Sequence, residues 1–160
     1  MKIKKVAVLG AGAVGSYVIW GLSQRKDMEL GVIATGERAE CLKKKGCVIN
    51  EITYHPHVWT PEEAHDVDLL VVSLKYGALL GALDDIQTIV GEHTTVMSLM
   101  NGVDSEERIA EKIDKSHILY ALIKVASHKE GDGYCFNPET TIGIIFGELE
   151  MPYESERVGA

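Results

Sequence analysis

No apolar run in this chain approaches the length that crosses a membrane. Cysteine is scarce: Cys41, Cys47 and Cys135 make an odd number, and none sits in a CxxC pair. That pattern argues against a disulfide framework and a structural zinc site, and it suits a reducing cytoplasm. The six histidines are scattered. His55 and His57 form the only close pair and have no cysteine or carboxylate at ligand spacing, so no metal is expected. Positive charge is also in deficit, with 16 Lys and Arg against 24 Asp and Glu and a net charge of −8. Nucleic acid and an anionic membrane surface are thereby disfavoured as main partners. A bound phosphate is not, because a helix N-terminus and one or two local cations suffice to hold it. Internal repeats and low-complexity segments are lacking. The chain enters a strand at once, which leaves no room for a signal peptide and makes the cytoplasm the expected location.

What remains is ordinary globular composition, 46% apolar and 25% charged over 160 residues, enough for one domain with a core. The stretch Lys4 to Leu22, KKVAVLGAGAVGSYVIWGL, organises it. A short apolar run, Val6 to Leu9, leads into Gly10-Ala11-Gly12-Ala13-Val14-Gly15 and then a helix-like run. This reads as a buried strand, a tight glycine turn and a helix N-terminus. Gly10 permits the turn, Gly12 lets the backbone approach a pyrophosphate, and Gly15 lets the helix pack closely on the strand. Because the motif directly follows a strand at the chain start, it predicts dinucleotide binding.

Helical spacing continues from Ser16 to Arg25, and Glu29 to Ala34 reads as a second strand. Gly36 to Lys45 is a polar helix ending in three lysines and Gly46. Cys47 to Trp59 is β-like in two segments and reads as an excursion from the main sheet, with Pro56 confining the second to an edge or bulge. Thr60-Pro61-Glu62-Glu63 opens a short helix. Asp68 to Leu74 and Thr94 to Met100 read as buried strands flanking a helix from Ala78 to Val90. A short capped helix, Ser105 to Ile113, precedes a strand from His117 to Ala126. Ser127 to Pro138 reads as a turn, and Thr141 to Phe146 as the last strand. Alternation of this kind predicts an open α/β sheet with helices on both faces.

In such sheets ligands bind beyond the carboxyl ends of the strands. The second strand ends at Thr35, with Glu37 and Arg38 just beyond. Thr35 and Arg38 suit a ribose 2′-phosphate, which favours NADP over NAD. Lys75 follows the third strand and is placed to meet ribose, phosphate or a substrate carboxylate. Asn101-Gly102 follows the fourth, and an asparagine amide both donates and accepts. A solvated loop lysine and a plain Asn-Gly turn are the alternatives.

Together, GAGAVG, Ser73-Leu74-Lys75, Met100-Asn101-Gly102-Val103 and the run from Ile142-Gly143 to Gly147-Glu148 resemble the N-terminal domain of the ketopantoate reductase family. The resemblance covers essentially the whole chain. It implies a Rossmann-type doubly wound, mostly parallel sheet over residues 1–148, with residues 149–160 beginning a linker. It further implies NADPH-dependent reduction of a 2-keto acid, 2-dehydropantoate, to pantoate. Gly10 to Gly15 would hold the pyrophosphate, and Lys75 and Asn101 would lie near the nicotinamide ribose and substrate. The family commonly has arginine where Thr35 stands and glutamine where Ala78 stands.

In the family a helical C-terminal domain follows and carries the proton-donor lysine. These 160 residues hold no counterpart, so the chain is expected to be the cofactor-binding half of a longer enzyme, inactive alone. Dimer contacts within the family often come from that other half, which leaves a homodimer open. Two rival readings stand: a related dehydrogenase of another 2-oxo or hydroxy acid, and a non-catalytic NAD(P)-sensing module.

Overall fold

The structure, a computed structural model, describes residues 3–10, 13–74, 76–99, 104–124, 128–130, 133–135 and 143–147. Strand β1 (Lys5–Leu9) leads to helix α1 (Ala13–Ser23), strand β2 (Glu29–Ile33) and helix α2 (Gly36–Lys45). Three short strands follow: β3 (Cys47–Ile49), β4 (Ile52–Tyr54) and β5 (His57–Trp59). Then come β6 (Leu69–Val72), α3 (Tyr76–Ile89), β7 (Thr95–Ser98), α4 (Asp104–Ala110), a 3-10 turn at Lys115–His117 and β8 (Ile118–Lys124). The last described strands are β9 (His128–Glu130), β10 (Gly133–Cys135) and β11 (Gly143–Gly147).

The main sheet has seven strands in the order β11-β8-β7-β6-β1-β2-β5. All neighbours pair in parallel except β11, which runs antiparallel to β8. This is the doubly wound Rossmann-like α/β arrangement expected from the alternation of elements. Sequence order reverses between β1 and β6, which makes that gap the switch point of the sheet.

The central strands are buried on both faces, and period-two alternation divides their side chains. Val6, Val8, Val32 and Val71 join one core with Val18 and Ile19 of α1. Ala7, Leu9, Leu70 and Val72 join the other with Leu79, Leu83 and Ile86 of α3 and Ile109 of α4. Each of the larger side chains contributes about 1.5–3 kcal/mol by leaving water. The two helix layers therefore hold β1 and β6 side by side from opposite faces, and this fixes where their C-terminal ends meet.

Three local expectations are corrected. The excursion is shorter than Cys47 to Trp59: β5 returns to the main sheet and pairs with β2 as its edge strand, just after Pro56. Only β3 and β4 leave it, joining a four-stranded sheet in the order β4-β3-β10-β9. Ser127 to Pro138 is more than a turn, because β9 and β10 form an antiparallel pair within it, and Tyr134 pairs with Ile49. The helix expected after Thr60 is a series of turns over residues 61–66. Its capping box is present: Thr60 N–H donates to Glu63 Oε1 at 3.0 Å and Glu63 N–H to Thr60 Oγ1 at 3.2 Å. The Asp66 amide then donates to the Ile89 carbonyl at 2.8 Å, and Asp66 takes a φ of 62°, so the helix does not propagate.

No helix among the described residues is long and apolar enough to cross a membrane.

Candidate functional site

The glycine turn stands at the switch point. Gly10 follows β1 with a φ of 102°, which L side chains rarely adopt. A Cβ there would also lie 2.7 Å from the Ser73 carbonyl oxygen. On the helix side, a Cβ on Gly15 would lie 1.9 Å from the Gly10 carbonyl oxygen. Helix α1 thus begins against the turn at a distance only glycine permits. Both glycines are buried.

Ser73, directly after β6, ties these parts together. Its amide donates to the Leu9 carbonyl at 2.9 Å. Its hydroxyl donates to the Gly10 carbonyl at 2.7 Å, with Leu9 O a more distant acceptor at 3.4 Å. Sequence reasoning passed over Ser73 except as a neighbour of Lys75. The available signal was a hydroxyl at the end of an otherwise apolar strand.

The same signal occurs one strand over. Ser98 ends β7, and its hydroxyl lies 2.8 Å from that of Ser105. Ser105 Oγ donates in turn to Glu106 Oε2 at 3.0 Å. All three residues are buried, and Glu106 is only 7% exposed. With the Ser105 proton committed to the carboxylate, Ser98 donates to Ser105.

Of the other residues singled out from sequence, Ala13 and Val14 open α1, with Val14 packed against the α1-side core. Thr35 is the residue before α2, with φ −137° and ψ 161°, and its side chain makes no capping hydrogen bond. It lines a cavity of about 300 Å3 with Gly36, Glu40, Lys43, Thr60 and Glu63. The Thr60 amide and hydroxyl hold the Glu63 carboxyl below its usual range, so this wall stays anionic. Lys43 Nζ lies 3.9 Å from Glu40 Oε1. Arg38 is exposed on the same helix but does not line the cavity. Its charge acts on Cys47, whose thiol is pushed up by burial and pulled back only in part by Arg38. Ala11, Gly12, Lys75 and Asn101 lie outside the described residues.

The arrangement fits a dinucleotide. Gly10 and Gly15 let the turn, the helix start and the end of β6 pack closely together at the carboxyl ends of the strands, where open α/β sheets bind ligands. No group of three His, Cys, Asp or Glu side chains suited to a metal occurs among the described residues.

Comparison with known proteins gives a consistent set of likenesses. The family model described as ketopantoate reductase PanE/ApbA matches residues 6–149. A 2-dehydropantoate 2-reductase of Mesorhizobium japonicum is 32% identical over 104 residues, covering 62% of this chain and 32% of that protein. The crystal structure of 2-dehydropantoate 2-reductase from Geobacter metallireducens superposes with a TM-score of 0.79 at 25% identity, over 97% of this chain and 52% of that one. A D-mandelate dehydrogenase solved with NADH and anilino(oxo)acetate gives a TM-score of 0.72 at 25% identity, over 83% of this chain and 45% of that one. The chain spans less than half the length of the curated relatives it matches.

Proposed function

Because this chain belongs to the PanE/ApbA family of ketopantoate reductases, we propose that it is the cofactor-binding half of an NADPH-dependent enzyme that reduces 2-dehydropantoate to pantoate. The observation that carries the reading is the turn at the β1/β6 switch point, where Gly10, Gly15 and Ser73 meet. Backbone N–H groups at the start of α1 face the pyrophosphate, and the helix dipole favours its charge. When bound, the nicotinamide supplies the reducing equivalent. Lys75 and Asn101 each stand three residues beyond the end of a strand, β6 and β7, which suits contact with ribose and substrate. Thr35 and Arg38 receive the 2′-phosphate. The proton donor to the keto oxygen comes from the helical domain that the family carries beyond this one.

A second reading, an NADH-dependent reductase of another 2-oxo acid, draws on two observations. Two carboxylates share the Thr35 cavity with the single lysine Lys43, which disfavours a 2′-phosphate there. The D-mandelate dehydrogenase that resembles this chain was solved with NADH.

Fluorescence titration with NADPH and NADH separates the two. Tighter binding of NADPH supports the first reading, and a preference for NADH of tenfold or more overturns it. Turnover of 2-dehydropantoate, assayed on these 160 residues and on the full reading frame, tests the division of labour. Equal activity would refute the placement of the proton donor in another domain.

A further inference from the structure

We propose that Ser73 is a positioning residue for the dinucleotide turn, its hydroxyl setting the orientation of the Gly10 peptide. This rests on the dinucleotide reading above and adds a side chain to it. Two observations converge on the Gly10 carbonyl oxygen, and a third fixes its donor. It accepts from Ser73 Oγ at 2.7 Å, the shorter of that hydroxyl's two contacts. It sits so close to Gly15 that a Cβ there would come within 1.9 Å of it and within 2.9 Å of Ser73 Oγ. The Ser73 amide is itself held by Leu9 O at 2.9 Å, so the hydroxyl is presented from a fixed strand end.

A carbonyl oxygen facing a pyrophosphate repels it, whereas an amide N–H attracts it. In a trans peptide the following N–H points opposite to the carbonyl. Holding the Gly10 carbonyl against the Ser73 hydroxyl therefore keeps that oxygen bonded within the protein and out of an anion's way. Gly10 has no side chain to enforce this orientation, and its backbone is permissive. Ser73 supplies the constraint from a strand distant in sequence. The charge pattern of the site comes from the backbone, and Ser73 acts by holding that backbone still.

The test is NADPH binding by this chain, read by fluorescence beside the thermal midpoint without ligand. Ser73→Ala should weaken binding roughly three- to tenfold, the worth of one neutral hydrogen bond. Ser73→Thr keeps the donor and should stay within about twofold of the unaltered chain. Asp68→Ala serves as the control for stability alone. Asp68 precedes β6 and accepts from the amides of Lys4 and Lys5 at 2.9 Å, at the opposite end of the strands. That variant should lower the midpoint and leave affinity unchanged.

Unchanged affinity in Ser73→Ala, with the unaltered chain binding, overturns the role of Ser73 and leaves the dinucleotide reading standing. Weakening in Ser73→Thr equal to that in Ser73→Ala also overturns it, because the donor is then not the cause. If Ser73→Ala does not fold, Ser73→Cys carries the comparison, being close in size but a weak donor. It must weaken binding, and unchanged affinity overturns the role. Binding of neither NADPH nor NADH by the unaltered chain overturns the dinucleotide reading and the role of Ser73 with it.

Discussion

Helix α1 contains two glycines, and adding one methyl group to each should move stability in opposite directions. At Gly15 the new Cβ would lie 1.9 Å from the Gly10 carbonyl oxygen and 2.9 Å from its carbonyl carbon. Restoring ordinary contact at roughly 3.4 Å requires the turn and helix to separate by about 1.5 Å. The obstacle is backbone, so no rotamer change relieves it. Overpacking of this kind costs about 1–3 kcal/mol, and the upper part of that range applies here. Replacing glycine by alanine inside a helix returns up to about 1 kcal/mol. The net for Gly15→Ala is a loss of about 2 kcal/mol, a drop of about 4–8 °C in thermal midpoint for a chain of this size. The same separation spoils the convergence of turn and helix start, so NADPH affinity should fall by about tenfold or more, since displacements near 1 Å already carry large penalties. At Gly21, on the same helix, a Cβ would meet nothing within 4 Å. Gly21→Ala should therefore gain about 0.5–1 kcal/mol and leave NADPH binding alone. Thermal unfolding and fluorescence titration of the two variants make the comparison. A Gly15→Ala protein as stable as the parent, with unchanged affinity, would refute the argument from close approach.

Other outcomes follow from the electrostatics and from the thiols. The Thr60 amide and hydroxyl depress the Glu63 carboxyl, so its contribution to stability is present above the unfolded carboxylate range and is lost as pH falls through the folded value. Urea midpoints of the parent and Glu63→Gln should differ near neutral pH and converge in acid, and a gap independent of pH would contradict the assignment. Cys41 is exposed, whereas Cys47 is buried with its thiol pushed up. A thiol reagent at neutral pH should label Cys41 promptly and spare Cys47 until the chain unfolds, with peptide mass spectrometry as the readout.

Much of the fold was legible because its strongest signals are long and periodic. The apolar runs of β1 and β6 are continuous since those strands are covered on both faces. Gly10 and Gly15 were legible for a steric reason that the turn makes explicit. The β9–β10 hairpin was not, because three-residue polar strands carry no periodicity and are stabilised by pairing with β3, remote in sequence. The segment after Thr60 shows the limit of local rules. Its capping box forms as read, but Asp66 gives its amide to Ile89 instead of extending a helix. Within the site, Thr35 lines a cavity whose Thr60 and Glu63 wall comes from a later segment, which no local spacing shows. Ser73 and the Ser98–Ser105–Glu106 chain went unread because a serine at a strand end has meaning only through what the sheet sets beside it.

The central claim is that the turn between β1 and α1 holds a dinucleotide pyrophosphate. Backbone amide resonances followed by NMR during addition of NADPH test it most directly. Saturable shifts are expected that are largest at Gly10, Gly15 and Ser73 and absent at Asp68, at the opposite end of the central strands. Shifts confined to residues away from the β1/β6 switch point, or none at all with either NADPH or NADH, would contradict it.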